Sequence, residues 1–396
     1  MALEQTWRWF GPHDPISLRE IAQTGATGIV TALHQIPPGL QWPADEILSR
    51  KKLIEEHGLT WSVAESIPVH EDIKKRTGDY RKFIENYRES IRNLGKSGIR
   101  TVCYNFMPVL DWSRTDIRVR FRDGSITTRF EARAFAAFDL YLLKRASAAG
   151  EYTEEQLAGA RKYFGELTEA QKVQLVETVL LGLPGSLEAY SLEGLRSALQ
   201  EYGDIGPGEL REHLHQFIRE VIPAAEESGV SMAIHPDDPP RSLLGLPRVV
   251  SDTADVEKLL RVADTPSNGI TMCTGSFGAG MQNDVADMAQ RFAARINFVH
   301  LRNVLRNADG DFIEEDHLVG DVDMYAVIRT LLTEQKRRAD DGRPDVRLPM
   351  RPDHGHLMLP DEQRKGIYPG YSLFGRMRGL AELRGLELGI RRALNL

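Results

Sequence analysis

The chain has 396 residues, of which 41% are hydrophobic, and this is enough to bury a sizeable core. Its 50 lysines and arginines are outnumbered by 57 acidic residues, which argues against broad binding to nucleic acid or to an anionic membrane. No apolar run approaches the roughly 20 residues of a membrane-spanning helix. With two cysteines and no apolar leader at the start, we expect a cytoplasmic protein with reduced thiols.

Eight short apolar runs, rich in β-branched or aromatic residues, are predicted as strands. They cover residues 7–10, 28–33, 60–65, 101–106, 231–235, 270–273, 296–301 and 346–351. Helical patterns lie between them at 18–24, 44–56, 80–94, 256–262, 284–292 and 324–338. Because parallel strands need crossover connections, this alternation predicts an α/β protein with a parallel sheet. Eight repeats are the number that closes a (β/α)8 TIM barrel, which we predict as a single domain over residues 1–396.

One connection is too long for this scheme. Residues 111–227, after the fourth strand, carry helical patterns at 134–144, 154–164, 169–181, 192–201 and 210–228. We interpret this segment as a helical insertion over one face of the barrel, ending in the fourth barrel helix. It could serve as a lid or as an oligomer contact, and we expect a homo-oligomer, with a dimer as the simplest case.

Polar residues end the last four predicted strands. Strand five ends in His235, strand six in Cys273, strand seven in His300 and strand eight in Asp353, followed by His354. In TIM barrels the carboxyl ends of the strands face the active site, so these side chains are expected to converge. Two imidazoles, a thiol and a carboxylate are ligands for a divalent transition metal. Their softness favours zinc or iron over manganese, and the pattern alone leaves zinc, iron(II), cobalt and manganese(II) open.

Other residues near the strand ends are suited to a small hydroxylated acid. Arg8 and Asn105 follow the first and fourth strands, and Arg302 lies two residues after His300. An arginine can bind a carboxylate with two parallel hydrogen bonds. After strand eight, a Pro-Gly turn precedes Tyr371 and could direct its phenol into the mouth of the barrel. No glycine-rich nucleotide loop or nucleophile elbow follows any strand.

Five segments resemble the D-mannonate dehydratase family, and the resemblance extends from Trp7 almost to the C-terminus. They are Trp7-Arg8-Trp9-Phe10-Gly11-Pro12, residues 25–34, residues 103–112, His235-Pro236-Asp237-Asp238-Pro239-Pro240 and Arg351-Pro352-Asp353-His354-Gly355-His356. The resemblance implies a xylose-isomerase-like barrel that uses Mn²⁺ or Fe²⁺. It also implies conversion of D-mannonate into 2-dehydro-3-deoxy-D-gluconate and water, in hexuronate (glucuronate) catabolism.

The same resemblance assigns roles to individual residues. The family's metal ligands fall on His235, Cys273, His300 and Asp353, and its proton-transfer residues on His354 and Tyr371. Three other activities remain open on the residues alone. One is a metal-dependent sugar isomerase or epimerase on the same barrel, and another is a non-catalytic sugar-acid binding protein with a structural metal. The third, a metal-dependent phosphodiesterase, is disfavoured by the acidic charge balance.

Overall fold

Strands and helices alternate along most of the chain, as the periodicity predicts. The computed structural model describes residues 2–182, 190–203 and 205–395. Its strands are β1 (Glu4–Arg8), β2 (Gly28–Thr31), β3 (Thr60–Glu65), β4 (Thr101–Tyr104), β5 (Asp116–Arg120), β6 (Ile126–Phe130), β7 (Ser231–Ile234), β8 (Asn268–Cys273), β9 (Ile296–His300), β10 (Asn303–Arg306), β11 (Phe312–Glu315) and β12 (Pro349–Arg351).

The helices lie outside the barrel and in the long connection. They are α1 (Leu18–Gln23), α2 (Ala44–Glu55), α3 (Glu71–Lys75), α4 (Tyr80–Lys96), α5 (Ala132–Ala137), α6 (Glu154–Glu166), α7 (Glu169–Val179), α8 (Leu192–Tyr202), α9 (Pro207–Glu227), α10 (Thr253–Val262), α11 (Thr274–Gly278), α12 (Val285–Phe292), α13 (Met324–Asp340) and α14 (Leu373–Leu394). The predicted helices of the barrel agree with these bounds to within a turn. Local signals account for this agreement, because Ser17 begins α1 with a capping box to Glu20 and Ser372 caps α14.

Eight strands form a closed parallel barrel in the order β1-β2-β3-β4-β7-β8-β9-β12. This confirms the predicted TIM barrel. Apolar side chains face both surfaces of these strands, as expected for a parallel sheet covered by helices. The inner side chains Val30, Val63, Cys103, Ala233 and Phe298 pack together as one small cluster, so the barrel is filled below its carboxyl end.

A second sheet lies beside the barrel and was not predicted. It is antiparallel in the order β10-β11-β6-β5, and it joins a hairpin from the long connection after β4 to a hairpin from the connection after β9. The expected helical insertion over residues 111–227 therefore begins with a β-hairpin before its helices. A strand as short as Asp116–Arg120 gives only a weak pattern of alternating polarity. It was not recognised because the helical patterns that follow it are stronger.

The remainder of the long connection is helical within its described residues. Phe130, Phe135 and Phe138 form part of a second apolar core between α5, α7, α8 and the small sheet. The last helix of the connection, α9, packs against α4 and β7. None of the helices in the described ranges has the length and apolarity that crossing a membrane requires.

Candidate active site

Three of the four predicted metal ligands lie together at the carboxyl end of the barrel. One ligand atom from each of His235, Cys273 and His300 lies within 4.8 Å of the others. The strand register explains this, because Cys273 is the direct neighbour of His300 in the β8–β9 ladder. His235 follows the end of β7, where its backbone N–H donates to the carbonyl of Tyr104 at 2.6 Å.

The two imidazoles differ in their hydrogen-bond partners. Nδ1 of His235 lies 2.7 Å from the carbonyl oxygen of Pro236, and donation there leaves Nε2 with the lone pair of the neutral ring. Nε2 of His300 accepts from Nε of Arg351 at 3.0 Å, while its Nδ1 is buried without a hydrogen-bond partner. Burial and the charge of Arg351 hold the pKa of His300 well below its ordinary value, so the ring is neutral.

The fourth predicted ligand, Asp353, lies beside this cluster. Its carboxylate oxygens are 3.5 Å from Sγ of Cys273 and 3.6 Å from Nδ1 of His300. Asp353 follows β12 with φ at +63°, a left-handed conformation that few non-glycine residues adopt and that is often found at functional sites. Burial opposes ionisation, but Arg351 above all holds the pKa of Asp353 well below its usual range, so the group is a carboxylate.

The Cys273 thiol completes a set of donors that fits a divalent transition metal. Burial, followed by the neighbouring charge of Asp353, raises the pKa of Cys273 to about 12, so the thiol keeps its proton unless a cation replaces it. Two nitrogen donors, one sulfur and one carboxylate are a recognised set for zinc, iron and related ions. Three of these ligand atoms lie within 4.8 Å of one another, and this close donor set is the structural observation that a bound cation would explain.

The two predicted proton-transfer residues lie next to the cluster. The ring centroids of His354 and Tyr371 are 4.9 Å apart. Tyr368, Pro369, Gly370 and Tyr371 form the expected tight turn, in which the Tyr371 N–H donates to the Tyr368 carbonyl at 2.9 Å. Gly370 is required there, since its φ is +81° and a Cβ would lie 2.9 Å from Cγ of His354. Burial is the main cause that raises the pKa of Tyr371 to about 12.

A cavity of about 50 Å³ lies over these groups. Its lining includes residues from five strand ends and the long connection, among them Arg8, Glu65, Asn105, Trp112, His235, Asp353, His354 and Tyr371. The cavity continues into a larger one of about 160 Å³, which shares Arg8, Ser66 and Asn105 with it. Three buried polar atoms on this lining have no hydrogen-bond partner in the described part of the chain, namely Nη1 of Arg8, Oε2 of Glu65 and Nε1 of Trp112.

Two of the three predicted substrate-binding residues, Arg8 and Asn105, therefore line the cavity, and Arg302 does not. Nη2 of Arg302 donates to Asp238 at 2.6 Å, Nη1 donates to Glu314 at 2.6 Å, and Nε lies 3.1 Å from Asp353. Because carboxylates of the chain engage every arm of this buried guanidinium, it is not available to a substrate carboxylate. Arg302 instead holds Asp353 in place.

Sequence reasoning missed a group of charged residues that surround the site. Glu314 lies on β11 in the small sheet, and both of its oxygens are 2.9 Å from Nδ1 of His354. Arg114, at the start of the long connection, binds Asp238 at 2.7 Å and Glu314 at 2.8 Å. The segment Phe312–Glu315 is two apolar residues followed by two acidic ones, so it lacks the alternation that signals a strand.

The fold and this site together define a class of protein, a xylose-isomerase-like TIM barrel with a candidate metal centre at the carboxyl ends of its strands. A protein titled a xylose isomerase-like TIM barrel protein from Mycobacterium smegmatis, solved in complex with magnesium, matches with a TM-score of 0.50 at 13% identity, over 98% of this chain and 97% of that one. At that identity the match shows the fold alone.

The chain belongs to the D-mannonate dehydratase (UxuA) family, whose model matches residues 3–395. It is 54% identical over 393 residues to the mannonate dehydratase of Marinomonas sp., covering 99% of this chain and 100% of that protein. A relative from Saccharophagus degradans is 53% identical over 97% of each chain. The crystal structure of mannonate dehydratase from Streptococcus suis matches with a TM-score of 0.77 at 36% identity, over 100% of this chain and 95% of that one.

Proposed function

We propose that this protein removes water from D-mannonate to give 2-dehydro-3-deoxy-D-gluconate, with a divalent metal bound by His235, Cys273, His300 and Asp353. The observation that carries this proposal is a cavity lined by His235 of the candidate metal cluster, by Asp353, and by the His354 imidazole and the Tyr371 phenol. Membership of the UxuA family supports the choice of substrate. A six-carbon sugar acid is also consistent with a small cavity of mixed polar and apolar lining.

The substrate must be held by its anionic end and its hydroxyl groups. Arg8 supplies a guanidinium whose Nη1 faces the cavity without a partner, and Glu65 and Trp112 supply an unpartnered acceptor and donor. Buried polar groups of this kind are costly unless a ligand satisfies them. We therefore assign Arg8, with the Asn105 amide, to the carboxylate and hydroxyl groups of the substrate.

A divalent cation bound by the four ligands would supply Lewis-acid stabilisation of negative charge on the substrate oxygens. The chain supplies the proton transfers. Nε2 of His354 takes the proton from C2, and the electron pair of that C–H bond, held first as a carbanion next to the carboxylate, then forms the C2–C3 double bond. Tyr371 donates its proton to the C3 hydroxyl as the C3–O bond breaks, which releases water. The resulting enol becomes the 2-keto acid when the C2 hydroxyl loses its proton and a proton is added at C3.

The environments of the two residues support this division of roles. The raised pKa of Tyr371 keeps its phenol protonated near neutral pH, which is the state that a general acid needs. His354 directs Nδ1 towards Glu314, so the other ring nitrogen, Nε2, remains for the substrate. An acid and a base positioned in this way each contribute about 10²–10⁴-fold to the rate.

The test is incubation of metal-reconstituted protein with D-mannonate, scored for a 2-keto-3-deoxy acid. An isomerase or epimerase would conserve the mass of its substrate, and a binding protein would give no turnover. The variant His354→Asn should retain its metal and lose turnover. If that variant keeps both its metal and near-normal turnover, His354 takes no part in the reaction.

Three finer assignments complete the proposal. We infer that Mn²⁺ or Fe²⁺ is the native cation, that the chain works in the cytoplasm, and that it forms a homo-oligomer, in the simplest case a dimer. Metal analysis of protein purified without added metal tests the first. Light scattering of the purified protein tests the last, and a monomer at micromolar concentration would contradict it.

A further inference from the structure

Glu314, which lies outside the predicted catalytic set, forms a buried pair with His354. Both carboxylate oxygens of Glu314 lie 2.9 Å from Nδ1 of His354, and the two residues are 3% and 4% exposed. We propose that Glu314 is a positioning residue, which keeps a proton on Nδ1 of His354 and directs Nε2 towards the substrate. This inference rests on the proposed function, because it assumes that His354 moves the proton at C2.

The protonation of the pair follows from its partners. Nη1 of Arg302 and Nη2 of Arg114 donate to the same oxygen of Glu314 at 2.6 and 2.8 Å. Burial opposes ionisation of Glu314, but the hydrogen-bonded His354 and the charges of Arg302 and Arg114 hold its pKa well below the ordinary value. An ionised carboxylate can only accept hydrogen bonds. Nδ1 of His354 must therefore be the donor, and in the neutral ring Nε2 carries the lone pair.

The small sheet holds Glu314 in this position. The backbone of Glu314 pairs with Val304 on β10, and its carbonyl oxygen accepts from Oγ1 of Thr127 at 2.9 Å and lies 3.1 Å from Nε2 of His356. The strand is thus fixed by groups from both hairpins and from the segment after β12. A rigid support of this kind restricts the rotation of the Glu314 side chain, which is what orientation of a catalytic imidazole requires.

Glu314 is not the sole carboxylate partner of the two arginines. Arg114 and Arg302 are both already bound by Asp238, at 2.7 and 2.6 Å. His354, in contrast, would be left without a carboxylate partner. In the described part of the chain, Glu314 is the carboxylate within hydrogen-bond distance of its ring. Carboxylates that orient catalytic histidines in this way are known to act through the tautomer and not through proton uptake.

The test is the isosteric variant Glu314→Gln, with Glu315→Gln as a matched control. Glu315 is the next residue on β11, is also buried, and binds the exposed Arg122 at 2.7 and 2.8 Å instead of His354. We expect Glu314→Gln to lower kcat by about 100-fold or more, with KM and metal content within about twofold of wild type. The control should keep its kcat within about twofold. Glu314→Asp, which keeps the charge on a shorter side chain, should recover part of the lost kcat.

A second readout is independent of turnover. In protein labelled with ¹⁵N-histidine and loaded with diamagnetic zinc, the Nδ1–H resonance of His354 is assigned by its absence in His354→Asn. We expect it to move upfield or disappear in Glu314→Gln and to remain in Glu315→Gln. An unchanged resonance, or a changed resonance with unchanged kcat, would overturn the inference. If wild type shows no turnover of D-mannonate while the resonance depends on Glu314, the proposed function fails and the positioning of His354 stands.

Discussion

Arg351 and Glu65 form an ion pair across the mouth of the barrel, with 3.0 Å between Nη2 and Oε1, although their strands β12 and β3 are not neighbours. The same guanidinium donates from Nε to His300 and lies 2.6 Å from Asp353 through Nη1. One residue thus orients two of the four proposed metal ligands. Residues that support ligands in this way affect metal affinity nearly as strongly as the ligands do.

The first prediction concerns Arg351. Arg351→Lys keeps the positive charge, but an ammonium group lacks the planar set of donors with which the guanidinium reaches three partners. We expect metal affinity to fall by about 10–100-fold, measured by competition with a chromophoric chelator. Arg347→Lys is the control, because Arg347 is exposed and lies just before β12, at the end away from the site. This variant should bind metal as wild type does. Equal affinities for the two variants would contradict a supporting role for Arg351.

The two cysteines provide a comparison within one barrel. Cys273 and Cys103 are both free and buried, but only Cys273 belongs to the candidate metal cluster. Cys273→Ser should lower metal affinity by at least about tenfold, because a hydroxyl is a poorer ligand than a thiolate for a borderline cation. Cys103→Ser, whose sulfur contacts Oγ1 of Thr271 at 3.3 Å, should retain its metal. Isothermal titration with Mn²⁺ distinguishes them, and loss of metal from both variants would argue against a direct ligand.

Arg8 is predicted to act in substrate binding. Its Nη1 is buried without a hydrogen-bond partner and lies 3.9 Å from Glu65, so a substrate carboxylate would be its natural partner. Arg8→Lys should raise KM by about tenfold or more, with a smaller effect on kcat, because a lysine offers no planar pair of donors. Steady-state kinetics with D-mannonate check this. An unchanged KM would place the substrate carboxylate elsewhere in the cavity.

The acid and base roles are separable by isotope exchange. Tyr371→Phe should still exchange the C2 hydrogen of D-mannonate with deuterium from D₂O while failing to form the keto acid, because the base is intact and the acid is missing. His354→Asn should lose both exchange and product formation. Proton NMR of recovered substrate measures the exchange. If exchange is lost in Tyr371→Phe and retained in His354→Asn, the two assignments are reversed.

Stability should depend on pH through His34. Burial, with the nearby charges of Arg8 and Arg50, lowers its pKa to about 3 in the folded protein, against 6.5 for the unperturbed residue. The unfolded chain therefore binds a proton that the folded chain excludes. His34 contributes full stability above pH 6.5, and this is lost as the pH falls towards 3, at up to about 1.4 kcal/mol per pH unit.

His34→Gln removes this titration. We expect its free energy of unfolding to fall less steeply than that of wild type between pH 6.5 and pH 4, as measured by urea denaturation at each pH. The two slopes should converge above pH 7, where the histidine is neutral in both states. Parallel curves across the whole range would show that His34 does not titrate on unfolding.

Local pattern determined a large part of this protein from the sequence alone. The alternation of strands and helices, the closure at eight repeats, and the placing of His235, Cys273, His300 and Asp353 at strand ends depend on periods of two and about 3.6 residues. These periods can be recognised from residues that are close together in the sequence. Because all strands of a parallel barrel direct their carboxyl ends to one face, the position of a residue at a strand end was sufficient to predict that the four groups meet.

Only the tertiary structure decided how charged groups are paired around that face. Arg114 binds Asp238 across 124 residues of sequence, and Arg351 binds Glu65 across 286. Glu314 reaches His354 only because two hairpins from distant connections join into one sheet. Arg302 was expected to bind substrate and is instead occupied by carboxylates of the chain. Ion pairs carry no periodic signal, since a buried charge selects the opposite charge that folding brings nearest, whatever the separation along the chain.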